Sequence, residues 1–363
     1  MTMKPLSGFT VAVTADRRRE DLANLLEREG ARVVLAPPLR IVPVADDAEL
    51  RATTLALIER PPGVLAANTA LGIRGWFAAA EGWGLAEALR SALSGAYLVA
   101  RGSRAQGALR AAGLPAAWSA ESEQWSEIQQ HLLARGVRGA RVAVQRNGEA
   151  EPELTAALSA AGAEVVEVAA YRWLPPVDPT PLRRIVDLAT NRLVDAIAFT
   201  CAPAAAALLS IAGPDAGDLL HAMRTDVLAA CLGPVTAASL ARHGVPVLAP
   251  HRARLGALVR ALAEELPKRA PTLLVAGQQV TLRGHAAVVD GALRPLAPAP
   301  MAVLRALAAA PGRVLSRAAL LSSLPRGADE HAVEMAVARL RAALGGSAYV
   351  QTVVKRGYRL RVD

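Results

Sequence analysis

The stretch VAVTADRRREDLANLLEREGARVVLAPPLRIVP, residues 11–43, recurs as VAVQRNGEAEPELTAALSAAGAEVVEVAAYRWLP, residues 142–175, about 131 positions later. Each copy reads as a short apolar strand, a polar turn, an amphipathic helix, a glycine and a second strand. In the first helix Leu22, Leu25, Leu26 and Glu29 follow helical spacing and Gly30 supplies a C-cap. In the second, Leu154, Ala157, Leu158 and Ala161 repeat the stripe and Gly162 repeats the cap. Working outward, GVLAANTALGIRGW (from Gly63) pairs with DAIAFTCAPAAAAL (from Asp195). Likewise AYLVARGSRAQGALRAAGLPA (from Ala96) pairs with VLAACLGPVTAASLARHGVPV (from Val227). Strands that alternate with helices imply parallel sheets covered on both faces, and two copies imply two similar α/β lobes.

In such sheets ligands sit beyond the carboxyl ends of the strands, over helix N-termini. Asn68-Thr69, Gly102-Ser103, Thr200-Cys201 and Gly233-Pro234 fall at such ends. None forms a GxGxxG or Walker A loop, so no nucleotide is indicated. Free backbone N–H groups there would suit carboxylates or phosphates. The same residues also read as ordinary strand-to-helix turns.

The pattern changes after Leu266. Residues 267–271 read as a linker, and 272–363 as short alternating strands, three helices and a final hairpin. Asp290-Gly291 signals a two-residue turn. One helix opens near Pro300 and closes at Pro311-Gly312. Ser316 can cap a second, Arg317 to Leu324. The third, DEHAVEMAVARLRAALGG, carries the stripe Val333, Val337, Leu340 and Leu344. Arg356-Gly357 lies near the turn of the hairpin. Strands, three helices and a hairpin make a winged helix-turn-helix. Twelve basic residues stand against five acidic ones from Thr272 onward, and 29 against 27 before it. That concentration of positive charge suits a module that meets a polyanion, although a basic tail is also a common solvated face.

The 363 residues exceed one ordinary core, and no apolar run approaches the roughly 18 residues of a membrane span. The apolar stretch at the N-terminus is too short for a signal peptide. The expectation is a cytoplasmic protein that does not engage a membrane. Cys201 and Cys231 sit in apolar runs and read as buried thiols. The six histidines form no HxxxH or HxH pair, so no metal is expected.

Residues 8–266 resemble uroporphyrinogen-III synthase. The resemblance rests on the segment order, AAYRW (Ala169 to Trp173), AFTCAPAAAALL and the Gly-Pro-x-Thr turn of CLGPVTAASLARHGVPV. It implies two lobes joined by two linking strands: lobe one as residues 1–40 and 172–266, lobe two as 41–171. It implies a cofactor-free reaction that closes linear hydroxymethylbilane with inversion of its last ring. Tyr171 would assist loss of the hydroxyl; in a bland reading it is a half-buried strand tyrosine. Asn68, Thr69, Gly102, Ser103, Thr200, Cys201, Gly233 and Thr236 would hold the substrate carboxylates. Cys201 stands where the family usually has serine, which removes a hydroxyl donor. A helix N-cap is the plain alternative for Thr236.

Residues 272–363 resemble the effector domain of OmpR/PhoB-type response regulators, on APGRVLSRAALL, VEMAVARLRAALG and VQTVVKRGYRL. The resemblance implies that double-stranded DNA is bound. His331, Ala336, Ala338 and Arg339 would enter or touch the major groove, and Lys355 and Arg356 would lie on the wing. The charges fall one or two positions later than in the family's Arg-Gly-x-Gly-Tyr. Arg359 and Arg361 would reach phosphates. Arg341 is either a further contact or a solvated helix residue. Winged helices often bind tandem sites as dimers, yet no dimerisation heptad is visible. Asp16 and Asp21 after the first strand could suggest a phosphorylated receiver, but the internal doubling argues against one.

The sequence is compatible with three readings. In the favoured one, a transcription regulator senses an anionic small molecule, such as a linear tetrapyrrole, through its synthase-like region. Fusions of this kind suggest control of nitrate and nitrite assimilation genes. In the alternative, the chain is an active uroporphyrinogen-III synthase that carries a DNA-binding domain. In the third, both functions coexist.

Overall fold

The structure, a computed structural model, describes residues 3–16, 18–43, 48–146, 152–324 and 329–362, apart from the side chains of Ile41, Pro43 and Glu330. The polar turn of the second repeat copy lies outside them. The chain divides into two compact units, residues 40–174 and residues 1–39 with 175–363.

The first 43 residues supply β1 (Thr10–Thr14), α1 (Arg19–Arg28), β2 (Arg32–Leu35) and β3 (Arg40–Pro43). Next come α2 (Ala48–Glu59), β4 (Val64–Ala67), α3 (Ala70–Gly82), α4 (Ala86–Ser94), β5 (Tyr97–Ala100), α5 (Ser103–Ala111), β6 (Trp118–Ser119) and α6 (Trp125–Arg135). The second copy opens with β7 (Arg141–Gln145), α7 (Pro152–Ala160), β8 (Glu164–Val168) and β9 (Tyr171–Leu174). It continues through α8 (Thr180–Thr190), β10 (Ala196–Phe199), α9 (Ala202–Ala212), α10 (Ala216–Thr225), β11 (Leu228–Cys231), α11 (Pro234–Ala241), β12 (Val247–Leu248) and α12 (Leu255–Arg269).

These strands make two five-stranded parallel sheets, β12-β11-β10-β1-β2 and β6-β5-β4-β7-β8. Position by position the orders match: β1 and β2 correspond to β7 and β8, and β10 to β12 correspond to β4 to β6. Neither sheet is one repeat, however. Lobe one takes two strands from the first copy and three from the second, and lobe two takes the complement. The crossing is the antiparallel pair β3–β9, in which Arg40 faces Leu174 and Pro43 faces Tyr171. Every residue of β1, β4, β10 and β11 is buried, as both-face coverage requires. Phe199, Leu208 and Leu219 pack on one face of the lobe-one sheet, and Leu22, Leu26, Leu258 and Leu262 on the other.

Residues 267–269, expected in a linker, complete α12, so only Ala270 and Pro271 separate that helix from the next strand. There β13 (Thr272–Val275), β14 (Gln278–Arg283), β15 (Ala286–Val289) and β16 (Ala292–Pro295) form an antiparallel sheet in sequence order. Helices α13 (Pro298–Ala309), α14 (Arg317–Leu321) and α15 (Glu330–Leu344) precede the hairpin β17 (Val350–Val353) and β18 (Gly357–Leu360). Ser316 caps α14, its Oγ accepting from Ala319 N at 3.1 Å. The helix stops at Leu321, short of the expected Leu324. The hydroxyls of Ser322 and Ser323 turn back to Ala319 O and compete with the backbone ladder. Leu304, Leu307, Val333, Val337, Leu340 and Tyr358 fill the core of this winged helix.

The winged helix is fastened to lobe one at the β14–β15 turn. Arg283 Nη1 donates to Ser7 O at 2.6 Å, and His285 N donates to Gly8 O at 2.8 Å. His285 Nδ1 lies 3.1 Å from Thr10 Oγ1. Between them sits Gly284, where a Cβ would fall 1.7 Å from Asp195 Oδ2, so only glycine fits. Thr10 N donates to that same carboxylate oxygen at 2.7 Å.

Burial pushes the Asp195 carboxyl up to about 6, against the opposing pull of the Thr10 N–H and the Arg305 guanidinium. Desolvation, reinforced by Arg32, pushes the His285 imidazole below its usual range. The two groups act in opposite directions. Asp195, whose folded pKa lies above its unfolded value, supports the fold fully below the unfolded value and loses that support as pH rises through about 6. His285, whose folded pKa is depressed, withdraws support as pH falls through its range. Asp195→Asn removes the first dependence and leaves the second. Relative to the parent chain, the variant is expected to gain on the order of 2 kcal/mol at about pH 8 and to lose that relative gain by about pH 4. Urea unfolding of both proteins across this range measures it.

Candidate functional site

In lobe two, β4 and β5 are neighbours and β7 flanks β4, so their carboxyl ends form one edge. Asn68 and Thr69 follow β4. Thr69 is the N-cap of α3, its Oγ1 accepting from Gly72 N at 3.0 Å. The backbone N–H groups of Asn68 and Thr69, expected to be free for an anion, are taken. Gln145, the last residue of β7, places Oε1 3.1 Å from Asn68 N and 2.9 Å from Thr69 N. Its amide nitrogen donates to Arg146 O. Gly72 makes room for this amide, because a Cβ there would come within 2.1 Å of Gln145 Nε2. Gln145 is fully buried, and no motif in the sequence singles it out. An amide ending a buried parallel strand was the available signal, since such a group must find partners.

Tyr171 stands at the start of β9, nearly buried in the lobe-two core. Its hydroxyl lies 3.2 Å from Thr69 Oγ1, so the structure brings together Tyr171, Asn68 and Thr69. The Asn68 side chain is buried and, among the described residues, neither of its polar atoms has a hydrogen-bond partner. Gly102 caps α5 in an extended conformation, with Ser103 as the first helical residue. The Glu123 carboxyl packs against Gly102, 2.9 Å from where a Cβ would be. A resident carboxylate therefore stands beside the helix end at which a ligand carboxylate was expected.

Lobe one differs. Cys201 and Gly233 are the N-caps of α9 and α11, and Gly233 offers α11 no side-chain cap. Pro203 and Pro234 sit in the first turns, where a missing N–H costs nothing. Since β10 and β11 are adjacent, Thr200, Cys201 and Gly233 share one edge. Thr236 is buried in the first turn of α11, three residues past the cap rather than at it. Cys231 is fully buried. Burial pushes its thiol up to about 12, which leaves it an inert packing group.

In the winged helix, His331, Ala338 and Arg339 are exposed on α15 with Glu334 and Met335. Ala336 is only 2 % exposed and packs in the core with Val333 and Val337. Its methyl is used for packing, so the expected groove contact does not fall to it. Arg341 is half-buried and turns two of its nitrogens to the wing. Its Nε and Nη2 donate to Val350 O at 2.9 and 2.7 Å, and Nη2 also donates to Thr352 Oγ1. It pins the wing to the helix. Lys355 and Arg356 are exposed at the wing turn, with Lys355 in the left-handed region at φ 58°. Arg359 Nε donates to Gln351 across the hairpin at 3.0 Å.

The uroporphyrinogen-III synthase family model, HemD, matches residues 20–260. The chain belongs to the uroporphyrinogen-III synthase family. A second model, the C-terminal domain of transcriptional regulatory proteins, matches residues 292–360. Among solved structures, a mutant uroporphyrinogen III synthase from Thermus thermophilus is 30 % identical. It superposes with a TM-score of 0.61 over 71 % of this chain and all of that one. The uncharacterized protein YjjA of Bacillus subtilis is 28 % identical over 72 % of this chain and 97 % of its own length. A putative uroporphyrinogen-III synthase of Methanothermobacter thermautotrophicus is 32 % identical over 36 % of this chain and 52 % of its own. The protein thus joins a synthase-family region to a DNA-binding domain of the transcriptional-regulator type. Among the described residues no helix is long and apolar enough to cross a membrane.

Two variants separate support from contact. Gln145→Ala leaves the buried Asn68 N–H and the partly buried Thr69 N–H unpaired and is expected to cost about 1–3 kcal/mol in urea unfolding. Arg341→Ala is expected to speed amide hydrogen exchange in Val350–Thr352, while the salt dependence of DNA binding stays unchanged.

Proposed function

We propose that this protein is a transcription regulator that binds double-stranded DNA through its winged helix and a small anionic molecule through its synthase-family lobes. The observation that carries the DNA-binding half is the exposed cationic surface of α15 and the wing. His331, Arg339, Lys355 and Arg356 are exposed, and none makes an ion pair among the described residues. Arg339 is the side chain of that helix best suited to read guanine, while Lys355, Arg356 and Arg359 suit phosphates. Ala338 offers a methyl contact only. The resemblance points to nitrate and nitrite assimilation genes as targets and to two copies on tandem sites.

The N-terminus of α11, which opens at Gly233 without a side-chain cap, supports anion binding by lobe one, with Thr200, Cys201 and Thr236 nearby. In lobe two Gln145 accepts from the backbone just before α3, and the Glu123 carboxylate stands beside the start of α5. That occupancy favours a sensor over a site that must grip many carboxylates of one substrate. One observation favours the second reading, a working synthase: the Tyr171 hydroxyl beside Thr69 Oγ1.

Binding to promoter fragments across a salt series tests the first reading. Lys355→Ala is expected to weaken binding on all sequences and to flatten the salt slope by about 0.9. Arg339→Ala is expected to reduce discrimination between sequences by about 1–3 kcal/mol. Retention of affinity and slope in both variants refutes the assigned DNA face. Turnover of fresh hydroxymethylbilane, with isomers I and III resolved, tests the second reading. Isomer III above the spontaneous background, reduced in Tyr171→Phe, establishes an enzyme; isomer I alone from folded protein excludes one.

A further inference from the structure

A cavity of about 420 Å³ opens where the winged helix is fastened to lobe one, within the roughly 300–1,000 Å³ usual for small-molecule sites. It lies among the amino ends of β1 and β10 and the end of α12, not at the carboxyl edge where the family's ligand would sit. Phe9, Leu266 and Leu282 supply its apolar lining. Its charged lining is Arg192, Arg269, Arg283, Arg305, Asp195 and Asp226.

These charges do not cancel. Arg192 is paired with Asp226 at 2.8 Å. Arg305 stands 3.8 Å from Asp195 and also donates to the carbonyls of Arg192 and Gly284. Arg269 and Arg283 have no carboxylate partner among the described residues. Arg283 bonds only carbonyls, those of Pro5 and Ser7. Its guanidinium lies 5.0 Å from the centre of the Phe9 ring, and its Nε is buried with no hydrogen-bond partner. Backbone carbonyls satisfy donors but do not neutralise charge. A half-buried guanidinium without a counter-ion is costly, and the planar fork suits a carboxylate or a phosphate. The two uncompensated cations come from different bodies, Arg269 from lobe one and Arg283 from the winged helix.

We propose that this junction is a binding site for a small dianion carrying carboxylate or phosphate groups, gripped by Arg269 and Arg283 at once. An ion that bridges the two bodies binds the docked arrangement alone. By linkage it stabilises that arrangement and changes the freedom of the winged helix to adjust to DNA. The site is separate from the carboxyl edges of the parallel sheets, and its occupancy does not depend on the protein being a regulator.

The test is isothermal titration calorimetry of the full chain with sodium succinate and with sodium phosphate, against sodium chloride at equal ionic strength. At least one dianion is expected to bind beyond the chloride control, and which one does identifies the anionic group. Arg269 is exposed and its side chain makes no bond among the described residues, so Arg269→Gln is expected to fold as the parent and to weaken binding by roughly tenfold or more. Arg283→Gln should do the same but also loosens the docking. Thr236→Ala, at the lobe-one helix end, removes any share of the heat that belongs to that end, and the binding that remains in it should be weakened by Arg269→Gln to the same degree. No heat above chloride for either dianion overturns the proposal. So does binding that persists in Thr236→Ala and survives the further change Arg269→Gln, or that is lost in Thr236→Ala and kept in Arg269→Gln.

Discussion

The constraint on which the structure rests is that a short parallel strand buried on both faces cannot be completed by its neighbours in sequence. The strands β1, β4, β10 and β11 are wholly buried, and each needs hydrogen-bond partners beside it and helices above and below. The two repeats meet this need by exchange. The amino-terminal half of each copy supplies two strands to a sheet whose other three come from the carboxy-terminal half of the other copy. The antiparallel pair β3–β9 is where the chain passes between the two arrangements. Each sheet therefore requires both copies to be present.

Duplication left the lobes alike in strand order and unlike in chemistry. Lobe two closes its helix ends from within: Gln145 accepts from Asn68 N and Thr69 N just before α3, and Glu123 lies against the start of α5. Lobe one places Cys201 and Gly233 at the matching positions, and Gly233 leaves the start of α11 without a capping side chain. A fold whose family acts on a carboxylate-rich substrate has here satisfied part of its anion-binding backbone with its own side chains. Family membership therefore describes the framework more securely than the chemistry.

The attachment of the winged helix obeys a different logic. It is short, polar and specific: two residues of connection, an arginine on two carbonyls, and a glycine that lets Asp195 approach. Contacts of this kind fix orientation, and their titratable members make the junction responsive to its surroundings. The face of α15 and the wing tip remain exposed in the same arrangement.

The sequence alone determined the repeats, the alternation of strand and helix, the helix caps at Gly30 and Ser316, and the winged-helix order. These are local patterns: spacing, capping chemistry and turn residues act within a few positions of the chain. It also marked Asn68 and Thr69 as a strand end suited to an anion and, through resemblance, Tyr171 as a site residue. Only the tertiary structure decided that Gln145 occupies the N–H groups beside them, that Arg341 serves the wing, and that Ala336 belongs to the core. The same holds for the run from Pro267 to Arg269, which extends a helix. Each of these depends on what lies opposite in space. A hydrogen-bond donor at a strand end, an arginine on a helix and a glycine in a turn look the same in sequence whether they meet solvent, a ligand or a neighbouring strand.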